Sequence, residues 1–92
     1  MKRLIIIPTY NERENITKMV ERVMADDLKF DLLIVDDGSP DGTADLVREA
    51  QKRYPERLHM IEREGKLGLG TAYIAGFKYA LEHGYDRIFE KD

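Results

Sequence analysis

The chain contains no cysteine, which excludes a disulfide scaffold, a thiolate zinc site and a cysteine nucleophile at once. It has no basic excess either: 15 Lys and Arg stand against 18 Asp and Glu, a net charge of −3 at pH 7. Nucleic-acid binders normally carry a basic stripe, so no nucleic-acid partner is expected. Long apolar runs are also missing. Nothing approaches the ~18 residues needed to span a bilayer, and Met1-Lys2-Arg3 leads into only a few apolar residues. No internal repeat, low-complexity tract or linker divides the 92 residues. That length holds one domain, with one modest core that buries ~60–65% of the unfolded surface.

What is present alternates regularly. Leu4-Ile5-Ile6-Ile7, stopped by Pro8, predicts a strand buried on both faces. Asn11-Glu12-Arg13-Glu14 has the pattern of a capping box, with Asn11 as cap and Glu14 reaching back. Ile16, Met19, Val20 and Val23 then fall at helical spacing. Phe30 to Val35 predicts a second strand, and Leu46, Val47, Ala50 and Tyr54 a second helix ended by Pro55. Leu58 to Ile61 predicts a third strand. A third helix runs from Thr71 to about His83, with Tyr73, Phe77, Ala80 and Leu81 on one side and Gly84 as its stop. Arg87 to Glu90 begins a fourth strand. This β-α-β-α-β-α-β order calls for a parallel sheet covered by helices. Right-handed crossovers make 3-2-1-4 the natural strand order, with its switch point between strands 1 and 4.

Ligands of open parallel sheets bind beyond the carboxyl ends of the strands, and every unusual residue cluster falls there. Pro8-Thr9-Tyr10-Asn11-Glu12 follows strand 1, Asp36-Asp37-Gly38-Ser39 follows strand 2, and the stretch from Arg63 to Gly70 follows strand 3. The side chains of Asp36 and Asp37 point to opposite faces of a continuing strand, so one can face a crevice while the other holds the loop. A crevice-facing Asp accepts hydrogen bonds from a base N–H or a ribose hydroxyl; the competing reading is a plain turn, since Asp-Gly-Ser-Pro-Asp-Gly is rich in turn formers. A calcium loop fails. Asp37-x-Ser39-x-Asp41-Gly42 matches half of an EF-hand, but its twelfth position is Arg48, where a bidentate Glu is required. Lys66-Leu67-Gly68-Leu69-Gly70-Thr71 opens the third helix with small residues and a cation suited to phosphate, or simply with a tight turn. Pro8 and Tyr10 offer an apolar wall for a flat base and Glu12 a polar edge; equally, Pro8 simply ends the strand and Glu12 simply favours the helix N-terminus. His59 and His83 lack metal-ligand spacing, and Glu62-Arg63-Glu64 reads as a solvated mixed-charge loop.

Taken together, these motifs are more specific than any one of them. Pro8-Thr9-Tyr10-Asn11-Glu12 and Val35-Asp36-Asp37-Gly38-Ser39-Pro40-Asp41-Gly42-Thr43 resemble the family-2 glycosyltransferases of GT-A fold. The Ser-Pro-Asp-Gly-Thr form and Lys66-Leu67-Gly68-Leu69-Gly70-Thr71-Ala72-Tyr73 resemble, within them, the dolichol-phosphate (polyprenol-phosphate) mannosyltransferases. The resemblance runs from Arg3 to Asp92. It implies a Rossmann-like, three-layer nucleotide-binding half and an inverting transfer of mannose from GDP-mannose to a polyprenyl or dolichyl phosphate. Carried over by position, Pro8, Tyr10, Glu12, Val35 and Asp37 would surround the guanosine, with Lys66 near the phosphates. Ile88-Phe89-Glu90-Lys91-Asp92 looks like the approach to the family's Asp-x-Asp motif, which makes Asp92 the expected first ligand of Mg²⁺ or Mn²⁺.

Several further expectations follow from the resemblance. Residues 1–92 are expected to be one nucleotide-sugar-binding domain, a part of a longer enzyme cut within its metal motif. That enzyme is expected at the cytoplasmic face of a membrane, in peripheral contact with it. An uncovered fourth strand would favour self-association through the sheet edge. The competing readings are a family-2 transferase using a UDP-sugar, a non-catalytic α/β nucleotide-binding module, and, less well matched, a receiver-like domain, whose acidic pair would follow strand 1.

Overall fold

The computed structural model describes residues 1–65 and 67–91. Strands and helices alternate strictly: β1 (Arg3–Thr9), α1 (Ile16–Met24), β2 (Asp31–Asp36), α2 (Thr43–Gln51), β3 (Leu58–Glu62), α3 (Leu69–Glu82) and β4 (Arg87–Glu90). The four strands form one sheet of order β3-β2-β1-β4, and every pairing is parallel. The expected 3-2-1-4 order is thus observed. The pairing of β1 with β4 runs from Arg3 to Ile6, and Lys91 N donates to the Ile6 carbonyl (3.0 Å).

The side-chain alternation of the strands builds two cores. Ile5, Ile7, Leu32 and Ile34 face α1 and α2, where Val20, Val23, Val47 and Ala50 meet them. Leu4, Ile6, Leu33 and Val35 face α3. A strand buried on both faces must be apolar at successive positions, and the runs in β1 and β2 reflect that. The result is three layers, helix–sheet–helix.

Helix α3 approaches the sheet more closely than its aromatic residues suggest. Its buried face is Ala72, Gly76 and Ala80, while Tyr73 and Phe77 are half-buried and Leu81 is 76% exposed. A Cβ on Gly76 would lie 2.7 Å from Cδ1 and 2.8 Å from Cγ2 of Ile6. The expected face of Tyr73, Phe77, Ala80 and Leu81 is therefore rotated: small residues face the sheet because the helix sits close on Ile6, and large ones move to the flanks.

The capping box is also overturned. Helix α1 begins at Ile16, and its cap residue Asn15 makes no side-chain cap bond. Asn11 instead adopts a left-handed φ of 54°, and its amide donates to Ser39 Oγ (2.9 Å). A tertiary hydrogen bond has taken the segment that local pattern assigned to the helix. The first helical amides are served by the Glu12 carbonyl, which accepts from Asn15 N (3.0 Å) and Ile16 N (2.8 Å).

Candidate functional site

Three loops meet at the carboxyl edge of the sheet, on the side of α3. They enclose a pocket of about 220 Å³ lined by Pro8, Thr9, Tyr10, Glu12, Asp37, Gly68 and Leu69. A larger cavity of about 400 Å³ lies along the flank of α3 beside Ile61, away from where the loops converge. The smaller pocket is the candidate site, because among the described residues it joins loops from three strands around a buried charge.

Asp36 and Asp37 divide their work as the alternation predicts. Asp36 is buried and holds the loop: Oδ1 accepts from Thr9 Oγ1 (2.7 Å) and Ser39 Oγ (2.7 Å), and Oδ2 from the Ser39 amide (3.0 Å). Asp37 lies on the opposite face, at the pocket. Its two oxygens accept from Arg63, Nε to Oδ1 at 2.7 Å and Nη2 to Oδ2 at 2.9 Å. Each carboxylate oxygen accepts two hydrogen bonds. Counting the described residues, Asp37 keeps one acceptor position per oxygen for a ligand.

The Ser39-to-Thr43 stretch is scaffold. Arg13 N donates to Asp41 Oδ2 (3.1 Å), Glu12 N donates to Thr43 Oγ1 (3.0 Å), and the Arg13 guanidinium donates to the Asp41 carbonyl (3.2 Å). With the Asn11–Ser39 bond, these straps fix the loop that carries Tyr10 and Glu12 onto the loop after β2. Thr43 donates to Asp41 Oδ1 through its hydroxyl (2.5 Å) and its amide (3.0 Å). The Thr43 hydroxyl above all, aided by the Arg13 and Thr43 amides against a smaller cost of burial, holds the Asp41 carboxyl below its ordinary range.

Among the expected site residues, Pro8, Tyr10, Glu12 and Asp37 come together on this pocket. Tyr10 sits at the rim, 38% exposed. Val35 is not among the pocket's lining residues: it is completely buried in the α3-side core. A strand residue whose side chain packs under α3 cannot also present that side chain to a ligand. Lys66 and Asp92 lie outside the described residues.

Arg63 escaped the sequence reading, which placed it in a solvated loop. The structure buries it to 11% side-chain exposure against Asp37 at 8%. The missed signal was chemical: an aspartate buried at a strand end needs a cation, and the stretch after β3 supplies one at the same edge.

Metal binding is not built from the described residues. Among them no three His, Cys, Asp or Glu side chains converge in a way that could hold an ion. Asp36 is occupied by Thr9 and Ser39 and Asp37 by Arg63, so this pair does not fit a divalent cation. Asp92, the expected ligand, is not described.

Comparison with known proteins supports the same reading of the fold. The family model "Glycosyl transferase family 2" matches residues 4–83. The chain is 48% identical over 91 residues to the polyprenol monophosphomannose synthase of Mycolicibacterium smegmatis, covering 99% of the chain and 34% of that protein. It is 46% identical over 92 residues to the undecaprenyl-phosphate mannosyltransferase of Micrococcus luteus, covering all of the chain and 37% of that protein. The fold superimposes with a TM-score of 0.79 and 28% identity on a Pyrobaculum calidifontis mannosyltransferase solved with GDP-Man and Mn²⁺. That match covers 86% of this chain and 24% of the other. The chain spans about a third of the length of the curated relatives it matches.

Proposed function

The chain belongs to glycosyl transferase family 2, and on that premise we propose that it binds the nucleotide of GDP-mannose, in a protein that transfers mannose to a polyprenyl phosphate. The observation that carries this reading is the convergence of Pro8, Tyr10, Glu12, Asp37, Gly68 and Leu69 on one pocket at the carboxyl edge of the sheet. The relatives named for polyprenol and undecaprenyl-phosphate mannose chemistry, and the neighbour holding GDP-Man, support the donor and acceptor.

The chemistry divides naturally. Tyr10 and Pro8 supply an apolar surface for the base, while Asp37, held as an acceptor by Arg63, takes a donor N–H or hydroxyl of the nucleoside. In the transfer, an oxygen of the acceptor phosphate forms a bond to the anomeric carbon and the bond to the diphosphate oxygen breaks, inverting that centre. The acceptor phosphate is already an anion, so it needs no strong protein base. The neighbour contains Mn²⁺, and we assign Asp92 as the residue that would bring a Mg²⁺ or Mn²⁺ ion to the donor.

A polyprenyl phosphate is a membrane lipid, so the same proposal places transfer at a membrane surface, on its cytoplasmic face. The contact proposed with that surface is peripheral. Among the described residues no helix is long and apolar enough to cross a membrane.

A donor panel tests the central claim. The full-length protein is given polyprenyl phosphate with labelled GDP-mannose, UDP-glucose or UDP-N-acetylglucosamine, with and without Mn²⁺. Lipid-extractable label from GDP-mannose is expected. Label from a UDP-sugar alone would sink the mannose assignment.

A further inference from the structure

Building on the nucleotide reading, we propose that Arg63 is a positioning residue that sets the nucleotide affinity of the pocket by locking two of its walls together. Its guanidinium engages Asp37 through Nε and Nη2, donates through Nη1 to Thr71 Oγ1 (3.0 Å), and reaches the Gly68 carbonyl from Nη2 (3.3 Å). Asp37 and Gly68 both line the pocket, one from the end of β2 and the other from the start of α3. One side chain on the β3 loop thus spans the gap between them.

Among the described residues, the α3 side of this pocket is otherwise lightly held. Gly68 caps the helix without a side-chain bond, and Leu67 and Leu69 are 57% and 55% exposed. The Thr71 hydroxyl folds back on the carbonyls of Leu67 (3.1 Å) and Gly68 (2.8 Å), so Arg63 grips the same turn that Thr71 closes.

Stability is a poor explanation for such a pair. The other four ion pairs among the described residues join side chains that are 45–77% exposed, where a pair contributes little. Arg63–Asp37 is the buried one, and a buried pair gains little over an apolar substitute because both charges leave water. Its value lies in geometry. The planar fork fixes the carboxylate's orientation and still has a nitrogen for Thr71, which a lysine ammonium cannot reproduce.

The test uses full-length protein carrying Arg63→Lys, Arg63→Ala or Thr71→Val, with GDP and UDP as probes. Folding is followed by circular dichroism and urea denaturation, Kd by calorimetry, and KM and kcat with the nucleotide sugar. Arg63→Lys is expected to stay folded and weaken nucleotide binding about 10-fold, the order of one lost charge-assisted hydrogen bond. KM should rise with it while kcat is nearly unchanged, because the interaction lost is made in the ground state as well. Arg63→Ala should be weaker still, and Thr71→Val should shift Kd in the same direction by less. If Arg63→Ala fails to fold, the other two variants decide. Wild-type affinity in folded Arg63→Lys and Thr71→Val, with only the urea midpoint lowered, would mean a structural role and overturn the proposal. Wild-type protein that binds UDP and not GDP would end the GDP reading, and the Arg63 comparison then proceeds with UDP. Binding of neither would overturn both.

Discussion

Gly38 joins the β2 and β3 loops, and replacing it with alanine measures how tightly the site is built. Two separate costs arise there. Its φ of +69° is a left-handed conformation that costs an alanine ~1–2 kcal/mol. An added Cβ would also lie 2.7 Å from Gly65 N and 3.1 Å from the Arg63 carbonyl oxygen. Both contacts are backbone, so no rotamer change relieves them, and overpacking of this kind costs ~1–3 kcal/mol. The sum is about 2–5 kcal/mol. Gly84 is the control: its φ is +72°, and a Cβ there meets nothing within 4 Å. Gly84→Ala should therefore cost only the ~1–2 kcal/mol of the backbone term. Urea denaturation of the two variants isolates the close approach; at an m of ~1–3 kcal/mol/M their midpoints should differ by roughly 1 M. Calorimetry with GDP adds the functional half. Gly38→Ala pushes on the strand end that carries Arg63 and should weaken binding, while Gly84→Ala, at the far end of α3, should not. Equal midpoint shifts and equal affinities in the two variants would refute the reasoning.

Gly76→Ala should fail to stabilise the protein although alanine favours a helix by ~1 kcal/mol; crowding against the fully buried Ile6 costs ~1–3 kcal/mol. Chemical denaturation should show a net loss that shrinks when Ile6→Val removes Cδ1, the nearest atom. Alkaline stability supplies the other test. Burial first, and then the hydrogen bond to Asp31 (2.6 Å), push the Tyr85 hydroxyl above the ordinary tyrosine range. A raised folded pKa makes its contribution complete below the unfolded value of about 10 and lost as pH rises above it. Melts from pH 8 to 11 should show that loss, and Tyr85→Phe should flatten it; an unchanged alkaline slope in the variant would contradict the assignment.

Much of the fold was legible because hydrophobic period is a local property. Runs such as Leu4-Ile5-Ile6-Ile7 and Leu32-Leu33-Ile34-Val35 suit strands buried on both faces, and the helical segments between them call for a parallel sheet and restrict its crossovers. Helix starts were less legible. Asn11 and Glu14 satisfy a capping pattern, yet Ser39, 28 residues away, competes for the Asn11 amide and wins. The face of α3 was misjudged for a related reason: pattern rewards large apolar residues, whereas a helix lying against Ile6 needs Ala72, Gly76 and Ala80.

The candidate site divides the same way. The sequence alone determined which loops bear its chemistry, because strand ends at a switch point are set by topology, and topology follows from element order. It also determined that Asp36 and Asp37 face opposite ways, since strand side chains alternate. Only the tertiary structure decided which of the two meets the pocket, that Val35 is sealed beneath α3, and that Arg63 belongs to the site. The physical reason is range. A buried carboxylate requires a partner, but which cation reaches it depends on how loops distant in sequence approach: Arg63 and Asp37 are 26 residues apart in the chain, and their Nε and Oδ1 atoms are 2.7 Å apart in space.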